Sequence, residues 1–120
     1  VAIEGAVLFD SNGPLSGFTH TTGSASITVG STGHYLVDFS ISGTEPSQFS
    51  LFDNGSPVAG TTYGSGAGTQ QDGGQVIVSL ADGDVLTLVN YSSGAAVGLA
   101  SDIGGTQANV NASLVIEELG

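Results

Sequence analysis

The stretch GQVIVSLADGDVLTLVN, residues 74–90, sets two apolar runs of period two on either side of the acidic turn ADGD. Val76, Val78 and Leu80 fall on one side of the first run and Ile77 stands alone on the other, the alternation of a strand with one buried face. The same period recurs in both directions along the chain. It predicts strands at AVLFD (6–10), ASITV (25–29), HYLVDFSIS (34–42), QFSLFDNG (48–55), QVIVSLADG (75–83), DVLTLVNY (84–91) and NASLVIEEL (111–119). No stretch has helical periodicity. Asn12-Gly13-Pro14, Asp53-Asn54-Gly55, Asp82-Gly83-Asp84 and Gly104-Gly105 supply the turn chemistry between strands, including residues suited to positive φ. Asp82-Gly83-Asp84 is expected to close a hairpin. Residues 60–74, GTTYGSGAGTQQDGG, read as a long loop or a weak edge strand. Several short strands without an internal repeat imply an all-β, two-sheet antiparallel sandwich of jelly-roll type.

At 120 residues the chain has the size of one domain that can bury a core without covalent staples. It contains no Lys or Arg, 11 Asp and Glu and two His, a formal net charge of −11. Average composition would supply about fourteen basic residues in this length. Such a surface repels nucleic acid, anionic membranes and sulfated polysaccharides, all of which are held by neutralising their charge, so those partners are excluded. Disorder is excluded as well, because 39% of residues are hydrophobic and only 9% charged. Without cysteine there is no disulfide framework and no thiolate metal site. No apolar run approaches the roughly 20 residues that span a bilayer, so no membrane insertion is expected. Beginning at Val1 and not at Met suggests a piece of a longer chain or a processed product.

The faces of the strands carry a surplus. Tyr35, Val37, Phe39 and Ile41 share one side of their run, and His34, Leu36, Asp38 and Ser40 the other. A monomeric sandwich turns mostly polar residues outward. Leu36, Ile77 and either Leu114 with Ile116 or Val115 therefore form an apolar excess on the second face, of the kind that marks a partner surface.

The strings STGHYLVDFSIS, FSLFDNGSPVAGT, GGQVIVSLADGDVLTLVN and ASLVIEEL, in that order, resemble the globular domain of the complement-q and tumour-necrosis-factor superfamily. That superfamily has a Gly-x-Tyr strand, a Leu-x-x-Asn-Gly-x-x-Val hairpin, a Gly-Gly-x-Val-x-Leu-x-x-Gly-Asp strand pair and an aliphatic last strand. The resemblance covers about residues 25–119. Richness in Ser, Thr and Gly and the lack of Cys resemble the C-terminal domains of bacterial collagen-like surface glycoproteins, including the BclA type of the spore exosporium. The last-strand aromatic residues of the animal members and all Lys and Arg are missing, which speaks against receptor signalling and complement binding.

The resemblance implies a jelly-roll domain over residues 1–120, C-terminal to a collagen-like tract, that assembles as a homotrimer. Such a trimer registers a collagen triple helix, whose three Gly-X-Y chains must align before it can form. The resemblance points Leu36 and Asp38 at the three-fold axis, with Ile77 and Leu114 or Ile116 nearby. Leu36, Asp38, Ile77, Leu114 and Ile116 are thus the expected trimer-interface residues. It also implies an extracellular location at a bacterial cell or spore surface.

Catalytic patterns are weak by comparison. No Gly-x-Ser-x-Gly elbow occurs, and His20 and His34 have no neighbouring nucleophile pattern. Asp82 with Asp84, and Glu117 with Glu118, are carboxylate pairs of the type glycosidases use. A turn and a solvated strand end account for them more simply, so no enzyme is expected. Asn54-Gly55-Ser56, Asn90-Tyr91-Ser92 and Asn111-Ala112-Ser113 match the glycosylation sequon, a common chance match. No cofactor is called for. Calcium is the candidate ion, since Asp and Asn oxygens are plentiful, although no Asp-x-Asp-x-Asp-Gly loop is present. A calcium site would fall in loops 53–56 or 102–109. The function expected is a structural trimerisation module whose partner is itself. The alternative is a trimeric head, as on a phage fibre or adhesin, whose partner is a glycan or a surface receptor.

Overall fold

The computed structural model describes residues 1–66, 71–91, 93–94, 96–100 and 109–120. Among these the chain is all-β. Its strands are β1 (Phe18–Thr19), β2 (Ile27–Val29), β3 (Gly33–Ser42), β4 (Ser47–Asp53), β5 (Ser56–Pro57), β6 (Tyr63–Ser65), β7 (Gln71–Leu80), β8 (Val85–Asn90) and β9 (Ala112–Glu118). One sheet runs β1-β2-β8-β4-β5 with β6 also on β4, and the other runs β7-β3-β9. All pairings are antiparallel. The two layers face each other as a jelly-roll sandwich, as the alternation in the sequence requires.

The core lies between the sheets, where each long strand delivers its apolar side. Tyr35, Val37, Phe39 and Ile41 of β3 are fully buried against Phe49 and Leu51 of β4 and Leu86 and Leu88 of β8. Edge-to-face ring contacts, Phe18 on Tyr35 and Phe39 on Tyr63, tie the layers together. Buried Asn90 holds the start of the chain, donating from Nδ2 to the carbonyls of Val1 (3.0 Å) and Ala2 (3.2 Å).

Asn54 and Gly55 both take positive φ, 50° and 82°, between the paired residues Asp53 and Ser56. This is the two-residue type I′ hairpin that Asn-Gly favours. Gly83 also has positive φ (89°), and the Asp84 N–H donates to the Ala81 carbonyl at 3.0 Å. That turn is tight, but it corrects the expected hairpin: β7 and β8 belong to different sheets, so ADGD is a corner between layers. Stacked this way, Val76, Val78 and Leu80 share one core cluster with Leu86 of the facing sheet. Gly13 does not take positive φ; Gly17, at 84°, does. Residues 6–10 make only the isolated bridges Ala6 to Val89 and Phe9 to Ser24. Within 60–74, Tyr63–Ser65 is a strand on β4 and Gln71–Gly74 extends β7. Gly104-Gly105 lies outside the described residues.

Candidate functional site

The outer face of the β7-β3-β9 sheet collects most of the residues singled out in the sequence. Pairing places Leu36 between Ile77 on β7 and Glu117 on β9, and Asp38 between Gln75 and Val115. Further along, Ser40 lies between Gly73 and Ser113. Ile77 is 65% exposed and Val115 61%, while Leu36 is partly buried. Exposed Ile77, opposite the leucine, and exposed Val115, diagonal to it, make a small apolar platform on a sheet face that is otherwise polar. His34 and Ser79, paired at one end, border it.

The register also settles the alternative left open at β9. Leu114 pairs with Phe39 and Ile116 with Val37, so both turn inward and pack against the core clusters. The expectation that Leu114 and Ile116 join Leu36 on the outer face is therefore corrected, and Val115 takes that place. The reason is parity: β9 pairs with β3 so that its even-numbered residues share a face with Tyr35, Val37 and Phe39. Leu36, Asp38 and Ile77 do come together on one face.

At the other end of the face, over strands that stay paired, lies an open polar cleft of ≈ 400 Å³ lined by Asp38, Ser40, Tyr63, Gln71, Gly73 and Gln75, among others. Gly74 is required there for packing, because a Cβ would lie 2.2 Å from Cδ1 of Tyr63. The Tyr63 hydroxyl donates to the Gln75 carbonyl at 3.1 Å. Gly73, on the outer side, would bring its Cβ within 3.3 Å of a single atom, the Phe39 carbonyl oxygen. The cleft escaped sequence reading, although two glycines inside a strand signal close approach of another group.

Directly behind the cleft, Asp72 points inward and is 1% exposed. Ser47 Oγ, from the opposite sheet, donates to its Oδ2 at 3.0 Å. Its Oδ1 is buried with no partner among the described residues. Burial pushes its pKa up to about 6, against the lowering effect of the Ser47 hydroxyl and the Phe49 backbone.

The other groups weighed from sequence have structural roles. His20 is buried, its Nδ1 bonded to Asn12 Oδ1 and its Nε2 2.8 Å from the Ser24 carbonyl. Asp84 accepts from the Ala81 N–H (3.0 Å) and from Asn54 Nδ2 (2.9 Å), which hold its pKa below the usual carboxylate value. Burial and then the Asp84 charge raise that of Asp53. Glu118 accepts from Ser31 Oγ at 3.1 and 3.2 Å. Asp53 of loop 53–56 lies beside Asp84 of the β7–β8 corner, and no group of three or more Asp, Glu or His suited to a metal occurs among the described residues. Residues 102–108 of the second candidate loop, and Ser92 of one sequon, lie outside the described residues. No helix among the described residues is long and apolar enough to cross a membrane.

No curated protein matches the chain. One solved structure similar to it is that of a family 35 carbohydrate binding module from an environmental isolate, with 17% identity over 100% of this chain and 86% of that one, at a TM-score of 0.46. The family model of the BclA C-terminal domain matches residues 1–119, and the chain therefore belongs to that family.

Proposed function

We propose that the domain is a non-enzymatic trimerisation module that registers a collagen-like stalk and forms its head at a bacterial or spore surface. The observation that carries this reading is the Leu36, Ile77 and Val115 platform, which has no reason to be apolar in a monomer. Membership of the BclA C-terminal domain family supports it. A ring of three copies uses heterologous contacts, so the platform of one copy packs on a different patch of the next. Asp38 lies at the platform's border, where assembly brings its carboxylate close to those of the neighbours.

Light scattering on the purified chain tests this. A trimer of about 35 kDa, three copies of 11.8 kDa, is expected. Leu36→Asp should release monomers, because it desolvates three added carboxylates with no Lys or Arg to pair them. A monodisperse wild-type monomer at micromolar concentration ends the proposal. The second reading, a head that binds a glycan or receptor, is favoured by the polar end of the same face.

A further inference from the structure

We infer that the polar depression over the paired β3 and β7 strands is a binding site for a neutral saccharide, with Gly73 as its floor and Ser40, Gln71 and Gln75 as its polar contacts. The inference deepens the head reading and does not depend on trimerisation.

Gly73 sits inside a ten-residue strand with an ordinary strand φ, so conformation does not demand glycine there. Packing bears on it through a single contact, since an added Cβ would lie 3.3 Å from the Phe39 backbone carbonyl oxygen, closer than an ordinary Cβ contact, and would meet no other atom. Glycine in a strand interior weakens the strand, and it recurs where a ligand approaches the backbone closely. Its neighbour Gly74 differs, because the Tyr63 ring fills the space its Cβ would take. Gly73 therefore leaves a notch on the solvent side, and the exposed part of Tyr63 gives that notch an apolar wall.

The surrounding groups select the ligand class. The side chains of Asp38, Ser40, Gln71 and Gln75 reach the cleft and make no hydrogen bonds within the described protein. Asp38 accepts, Ser40 donates and accepts, and each glutamine amide offers two donors and an acceptor. An apolar partner would strand all four on desolvation. A sugar presents hydroxyls that both donate and accept at every position, with C–H faces to set against Tyr63 and the glycine backbone. Anionic sugars are disfavoured by Asp38 and by a chain of charge −11 without Lys or Arg. The ≈ 400 Å³ depression is open to solvent, so one or two sugar rings would lie against it with one side in water.

The test is an amide NMR titration of the whole chain with glucose, galactose, mannose, N-acetylglucosamine, cellobiose and lactose. Each is taken to about 20 mM, where millimolar binding registers. A heparin-derived disaccharide serves as the anionic control. At least one neutral sugar should shift the amides of Ser40, Gly73, Gly74 and Gln75 together, and the anionic control should not. Gly73→Val, which fills the notch, should abolish the shifts. Gln75→Ala and Ser40→Ala, at positions that do not support the core, should each weaken binding by about tenfold through lost hydrogen bonds. Leu36→Asp should retain the shifts, which separates failure of this site from failure of the trimer reading. No response to any neutral sugar, shifts elsewhere on the molecule, stronger binding of the anionic control, or affinity unchanged in all three cleft variants would each overturn the inference.

Discussion

Asp72 shows how one residue links sequence chemistry to the pH response of the fold. Its inward direction follows from the register of β7 on β3, where it pairs with fully buried Ile41. The chain has no Lys or Arg to neutralise it, and its Oδ1 has no partner among the described residues. The folded-state pKa of about 6 lies above the ordinary value of 3.8. A raised folded value means that the folded state holds the proton more tightly, so this contribution to stability is complete below pH 3.8 and is lost as pH rises through about 6. Thermal melts of the wild type should therefore fall on the order of a few degrees between pH 4 and pH 7. The Asp72→Asn variant should be nearly flat over that window. Parallel melting curves for the two proteins would show that Asp72 does not control the response. Gly73 and Gly74 make a second comparison at this scale. Adjacent and identical in sequence, they face opposite ways, and one is held by a tyrosine ring while the other abuts only the Phe39 carbonyl oxygen.

Among the elements, β9 is the most exposed to a test of assembly. It pairs only with β3 among the described strands. Ser42 N–H donates to the Asn111 carbonyl and Leu119 N–H to that of His34. Antiparallel alternation then aims the Ser113, Val115 and Glu117 amides at β3 and those of Leu114 and Ile116 at the free edge. An uncovered edge exchanges quickly, so hydrogen exchange by NMR should show Val115 protected and Leu114 and Ile116 unprotected. Equal protection at all three would mean that another chain covers the edge, a liability that sheet proteins manage explicitly. The corner between β7 and β8 belongs to this scale too. ADGD has the composition of a hairpin turn and the local geometry of a tight turn, yet it carries the chain from one sheet to the other.

Across the whole molecule, charge opposes assembly while the apolar platform favours it. Each copy carries −11, and the chain contains no Lys or Arg to answer it. Repulsion between copies is screened over about 10 Å at 0.1 M salt. Raising sodium chloride from about 0.01 M to 0.5 M should shift the assembly midpoint, read by sedimentation, to lower protein concentration. A salt-independent midpoint would place the interface charges too far apart to interact, and would remove Asp38 from its border.

Fold class, most strands and the strong negative charge were legible in the residues alone, because period-two burial, turn residues and net charge are local or additive properties. The sequence also assigned Leu36 and Ile77 to a second face, since alternation within one strand fixes sidedness. It could not choose between Val115 and the pair Leu114 and Ile116, because both sides of that run are apolar and only pairing with β3 decides which turns inward. Nor could it show the polar cleft, which brings Tyr63 from one sheet against Gly74 in the other. Burial of Asp72 was equally hidden, in a stretch that reads as a long loop or a weak edge strand. Contacts between layers depend on register and on which strand lies across the core, and these arise only when the whole chain closes into two facing sheets.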